Sequence, residues 1–296
     1  MLINIKKVFL FVFLIFLCSY LLVIVYLALG GKWIFPGSLI ITLLYMFVPM
    51  FVTVVIHRLY REPWTKLGIS WQLNWWFLVA WLLPPISAIA ALGISLLFPD
   101  VEYTAEMPKL FEQLKSLVPP AQLKQIQNEV AAAPMTFVVV GILQGLIAGL
   151  SVNAIAAFGE ELGWRGFLQK ELNGIGFWKA SVFIGLIWGI WHAPIILQGH
   201  NYPQHPVIGV FMMTLFTVLL SPIYSYIRIK AKSVVAAAIL HGTMNGTAGL
   251  STLVIQGGND LTVGLTGLAG FITLVIIIIG LVVYDYFKAQ EPILHR

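Results

Sequence analysis

Two adjacent carboxylates sit inside an apolar stretch of this chain, Phe158-Gly159-Glu160-Glu161-Leu162-Gly163-Trp164-Arg165-Gly166. A charged side chain in lipid is costly and is usually retained for function. Two later apolar stretches carry polar groups to match: Trp188-Gly189-Ile190-Trp191-His192 and His241-Gly242-Thr243-Met244-Asn245. Glu161 precedes Arg165 by four residues, the favourable order for a helical ion pair, so this pair is expected to support structure. Glu160 is rotated about 100° from Glu161 on a helix and is expected to do the chemistry. A carboxylate shielded from bulk water can take a proton from a water molecule and later deliver it to a leaving amine. Trp188 and His192 share a helix face, which lets the indole wall the site or fix the imidazole. His241 and Asn245 share another. An Asn side chain donates and accepts hydrogen bonds without ionising, which suits an oxyanion, and the histidine beside it could assist or ligate a metal. No Ser or Cys stands in a convincing nucleophile setting, so attack by activated water on a peptide bond is the simplest reading.

The elements that must position these groups read as membrane helices. With 59% hydrophobic and only 10% charged residues, and a mean hydropathy of +0.93, the composition is that of an all-α, polytopic membrane bundle. Apolar runs cover roughly 8–30, 34–56, 73–98, 135–158, 178–198, 207–227, 233–254 and 264–284, which predicts about eight spans at about 20 residues each. Of the 17 Lys and Arg, Lys6, Lys7, Arg58, Arg61, Lys66, Arg165, Lys170, Lys179, Arg228, Lys230, Lys232, Lys288 and Arg296 fall on one set of ends and loops. The opposite set holds only Lys32, Lys109, Lys115 and Lys124. Cytoplasmic loops retain positive charge, so both termini are expected in the cytoplasm, with the site facing that side. The net charge of +5 thus speaks to topology, and no nucleic-acid partner is expected. The first apolar run is too long for a signal core and is expected to stay as a first helix. Cys18 is the one cysteine, so no intrachain disulfide can form.

One membrane domain over 1–296 is the economical description, with a catalytic core region at 135–250. The loop at 99–134 carries two amphipathic patterns, Leu110, Phe111, Leu114, Leu117 and Leu123, Ile126, Val130, split by Pro119-Pro120. It is expected to form two short helices on the membrane surface or over the bundle, outside the cytoplasm. Gly141, Gly145 and Gly149 form a ridge of small residues that lets another helix approach closely. Pro194 is expected to bend the helix beside His192, and Pro84-Pro85 and Pro222 to kink two others. With span four ending near 158 and span five starting at 178, Glu160 lies near the cytoplasmic end and His192 about 20 Å deeper. Convergence then needs a cavity open to the cytoplasm, or a tilted or late-starting span five. His200 and His205 are expected at the surface of the outer loop.

The three stretches resemble the ordered motifs of the CAAX-protease and bacteriocin-processing intramembrane proteases, the CPBP or Abi family, which includes the Ras-converting prenyl-protein endopeptidase. Those motifs are Glu-Glu-x-x-x-Arg, Phe-x-x-x-His and His-x-x-x-Asn, met here by Glu160-Glu161 with Arg165, Trp188 with His192, and His241 with Asn245. Trp188 departs from the usual Phe and keeps an aromatic wall. The resemblance covers roughly residues 135–250. It implies that Glu160 activates water, His192 helps bind it, and His241 with Asn245 holds the oxyanion. It implies a peptide or lipidated-protein substrate, with prenylated CAAX tails the best known, in contact with membrane lipid. The family has been described both as metalloprotease and as metal-independent glutamate protease. No cofactor is expected here; zinc held by Glu160, His192 and His241 is the alternative. Two other classes stand behind the protease: a non-catalytic membrane scaffold or immunity protein, and then a proton-coupled transporter, against which stands the absence of inverted repeats.

Overall fold

A computed structural model describes residues 4–115 and 117–294, so Arg296 of the charge pattern lies outside the described residues. The elements run α1 (Ile5–Ala28), α2 (Gly37–Leu59), α3 (Trp75–Ser95), β1 (Val101–Tyr103), α4 (Pro108–Leu114), α5 (Pro120–Ala132), α6 (Pro134–Leu150) and α7 (Val152–Glu161). A π-helical segment, Leu162–Leu168, leads into α8 (Gln169–Glu171). Then come α9 (Phe177–Trp191), α10 (Ala193–Ile196), α11 (Pro206–Ala231), α12 (Val234–Thr247), α13 (Leu250–Leu253), β2 (Ile255–Gly257) and α14 (Leu268–Phe287).

The architecture is an all-α bundle, but not one of eight uniform spans. Among the described residues five helices, α1, α2, α3, α11 and α14, are long and apolar enough to cross a membrane, and counting the pair α5 and α6, bent by 105°, as one span gives at most six. The motif-bearing helices are those that fall short. α9 has 15 residues and α12 has 14, against about 20 for a crossing. Hydropathy along the sequence runs on through the breaks: α9 stops before His192 and resumes as α10 with Pro194 in its first turn, and α12 gives way to α13 across Ala248-Gly249. The expected orientation of the termini rests on the charge pattern.

The shorter helices are enclosed by the longer ones. α12 is buried along most of its length and packs against α3, α6 and α7, while α9 packs along α11. The glycine ridge makes the first contact: a Cβ on Gly145 would lie 2.6 Å from the carbonyl oxygen of Gly246, and one on Gly149 would collide with Thr243. Ser233 starts α12 by accepting a hydrogen bond from Val235 N at 3.1 Å, a side-chain cap on a helix end. Pro84, Pro85 and Pro222 are accommodated inside continuous helices.

At one end of the bundle β1 pairs antiparallel with β2, Val101 opposite Gly257. There α4 and α5 form as the amphipathic patterns predict. Met107, Phe111 and Val130 pack with Val254 of the segment before β2, so the pair lies over the end of the bundle; Leu117 falls outside α4 and stays exposed. The opposite, basic end holds a charge cluster. Lys7 reaches both Glu62 and Glu171 at 2.8 Å, and Lys170 reaches the same two carboxylates at 2.6 and 2.8 Å. Lys7, read from the sequence as a topology signal, is 1% exposed and ties α1 to α2 and α8.

Candidate active site

Glu160 is not at the end of its helix. After a break at Ser151 the chain runs helically from Val152 through the π segment to Glu171, which puts Glu160 about 15 Å in from the basic end. Wide π turns recur at functional sites. Here the segment begins directly after the two glutamates, and every residue from Leu162 to Leu168 is buried. Gly163 allows this, because a Cβ there would lie 2.6 Å from Pro49 of α2.

The expected residues come together, with two glutamates in different settings. Glu160 is 2% exposed, and its Oε2 accepts the indole N–H of Trp188 at 2.7 Å and of Trp164 at 3.3 Å. Its Oε1 has no protein hydrogen bond among the described residues. Glu161 pairs with Arg165 Nη1 through Oε2 at 3.2 Å, as its spacing predicts. It also accepts from His241 Nδ1 through Oε1 at 2.8 Å, so the pair assigned to structure also orients a site histidine. Arg165 is fully buried, with its guanidinium over two adjacent rings, Trp188 and Tyr224, at 4.6 and 4.7 Å. Stacking on two aromatic faces stabilises a cation withdrawn from water.

Trp188 does more than wall the site. Its indole binds Glu160, and its carbonyl oxygen accepts from His192 Nδ1 at 2.7 Å. A carbonyl can only accept, so neutral His192 carries its proton on Nδ1 and leaves Nε2 as an acceptor. The same holds for neutral His241, whose Nδ1 is taken by Glu161; protonated, it would present an Nε2–H donor. Trp191 packs its ring edge-on to His192, with centroids 4.8 Å apart. Tyr45 of α2 donates to the Trp191 carbonyl.

These groups line one cavity of about 300 Å³ that includes Glu160, Trp188, His192, His241, Asn245 and Tyr224. Asn245 lies one turn beyond His241 and is exposed at the cavity wall. His200, expected at the surface, is half-buried and lines the cavity with Asn201 and Thr266. The loop that holds it folds inward because Tyr202 is buried and donates to the Thr266 carbonyl at 2.7 Å. Burial pushes the His200 imidazole down to about 4. The lining thus extends from Glu160 toward the end opposite the basic cluster. His205 stays near the surface, bonded to Asp260 at 2.6 Å.

Sequence reasoning missed Trp164, Tyr224 and His200. Trp164 follows Glu160 by four residues, a spacing that could have pointed to it. Tyr224 stands on a helix without a motif, and only packing brings it to Arg165. As a zinc set, Glu160, His192 and His241 do not fit as arranged. No group of three His, Cys, Asp or Glu among the described residues is placed to hold a metal ion, and Glu160 directs Oε2 to two N–H donors.

Residues 133–247 match the family described as Type II CAAX prenyl endopeptidase Rce1-like. The chain is also similar to CAAX prenyl protease 2 of Methanococcus maripaludis, 32% identical over 98 residues, or 31% of this chain. That match spans 36% of the relative's length. The matched segment holds all three motifs in order, and their side chains surround one cavity inside a multi-pass membrane bundle. Over residues 133–247 the chain is thus similar to the Rce1-like CAAX-protease family.

Proposed function

We propose that this protein is an intramembrane endopeptidase that hydrolyses a peptide bond with water activated by Glu160. The observation that carries this reading is the asymmetry of the Glu160 carboxylate, with Oε2 fixed by two indole N–H groups and Oε1 left to act as a base. His192 Nε2 accepts a hydrogen bond from the attacking water, whose other proton Glu160 Oε1 takes as the oxygen bonds to the carbonyl carbon. The tetrahedral oxyanion is held by the Asn245 amide and by Nε2–H of a protonated His241 whose Nδ1–H rests on Glu161. Glu160 then gives its proton to the leaving amine, and no step requires a metal.

The substrate we infer is a prenylated CAAX tail presented near the cytoplasmic leaflet. The similarity to the Rce1-like family and to a CAAX prenyl protease supports that class, and the positive-inside charge pattern supports that side. The reach of the cavity toward His200 and Thr266 favours a second path, in which a membrane-embedded peptide segment approaches from the other half of the bundle.

The test is cleavage of a quenched fluorescent farnesylated CAAX peptide by purified protein in detergent. Glu160→Gln should lower kcat by about 10³-fold or more while Tm is kept, and a zinc chelator should leave the wild-type rate unchanged. Chelator sensitivity would overturn the metal-independent step. A folded wild type that cleaves neither this peptide nor an unprenylated membrane peptide would leave the scaffold reading.

A further inference from the structure

A second cavity, of about 570 Å³, lies at the basic end of the bundle, behind Arg165. Arg165 on its side meets Trp188 and Tyr224 of the first cavity's lining. Lys66, Arg165, Lys170 and Arg228 line the second cavity, and among the described residues no carboxylate does. Lys170 is neutralised by Glu62 and Glu171, and Lys66 lies 3.9 Å from Glu62. The two arginines keep unspent donors. Arg165 gives only Nη1 to Glu161, so its Nε and Nη2 are buried without a hydrogen-bond partner. Arg228 gives Nε to the Arg165 carbonyl at 3.3 Å and meets no acidic side chain among the described residues.

The same cavity collects other unpartnered buried polar atoms: Ser181 Oγ, Ser225 Oγ and Gln169 Oε1. Leaving such groups unpaired is costly, so their concentration in one place marks a site that a ligand or water completes. Helix α9 begins at its wall with Gly176 and no side-chain cap, so its first amide N–H groups add to a field that favours an anion.

We infer that this cavity binds a phosphate group, through Arg165, Arg228, Ser181, Ser225 and the start of α9, as a site separate from the one around Glu160. Planar guanidinium forks and hydroxyls are the donors that match tetrahedral phosphate oxygens. The phosphate could come from an anionic phospholipid headgroup or from solution. Bound there, it takes Arg165 Nε and Nη2 while Nη1 stays on Glu161, and so fixes the arginine that holds Glu161 against His241.

The experiment is thermal unfolding of the purified full chain in neutral detergent, read by tryptophan fluorescence. One arm titrates inorganic phosphate against chloride at equal ionic strength, the other short-chain phosphatidylglycerol against short-chain diacylglycerol. A rise in Tm of about 4 °C is expected with a phosphate-bearing probe. Arg228→Gln and Ser181→Ala should each lose at least half of it, and Ser181→Ala should keep its ligand-free Tm. A rise with inorganic phosphate supports a soluble anion, and a rise with the phospholipid alone supports a headgroup. No rise over either control, or a full rise in both variants, would overturn the site.

Discussion

At the scale of single residues, the site depends on second partners that hold the chemical groups in place. Trp188→Phe keeps the aromatic wall and restores the residue usual in the family, but removes the shorter of the two N–H bonds to Glu160. A hydrogen bond to a charged group contributes about 1.5–3 kcal/mol. A folded variant with kcat lowered about tenfold and KM nearly unchanged is therefore expected in the peptide-cleavage assay. Glu161→Gln should act on stability first. It leaves the fully buried Arg165 without its counter-ion, which costs about 3–5 kcal/mol. Denaturation in detergent would show this loss, and Glu161→Gln with Arg165→Met should recover part of it, since the second change removes the stranded charge.

At the scale of elements, the motif-bearing helices are held by close backbone approach, with little side chain between them. Gly145→Ala forces a Cβ to within 2.6 Å of the Gly246 carbonyl oxygen, and overpacking of this kind costs about 1–3 kcal/mol. Gly280→Ala on α14 meets nothing within 4 Å. It should be neutral or stabilising by up to about 1 kcal/mol, because alanine is the better helix former. Comparing the two Tm values separates helix packing from helix propensity. The failure of the motif helices on span length belongs to this scale too. Glycine, proline and the polar site residues are what a site inside a membrane needs, and they are also what interrupts a helix.

At the scale of the molecule, the basic end is clasped by the cluster of Lys7, Glu62, Lys170 and Glu171. Burial opposes ionisation of Glu62, but hydrogen bonds from Lys170 and Lys7 outweigh it and lower the carboxyl from 4.5 to about 2. A carboxylate that binds its proton less tightly when folded stabilises the fold above its ordinary value, and that stabilisation is lost as pH falls through the folded value. Glu62→Gln should therefore lower Tm at pH 7, and the gap from wild type should close as pH falls from about 4.5 toward about 2. Orientation is tested on the same scale. In a Cys18→Ser background, Lys66→Cys should react with a membrane-impermeant maleimide from the cytoplasmic side and Lys124→Cys from the other. The reverse pattern would place the clasp, and the cavity behind Arg165, outside the cytoplasm.

The sequence by itself determined the membrane class, the amphipathic pair over one end of the bundle, the ion pair of Glu161 with Arg165, and the stretches that bring Glu160, His192, His241 and Asn245 to one cavity. Composition, helical periodicity and fixed spacing are local properties, and they survive folding unchanged. It could not determine the number of helices that cross, because hydropathy does not register a break at Ser151 or His192. It gave no sign that Glu161 also braces His241, that Trp188 binds Glu160, or that His200 turns inward. Those contacts join residues 28 to 80 positions apart, or follow from how a loop is packed. Only the tertiary structure decides them, because they depend on which buried polar groups meet once the helices have closed around them.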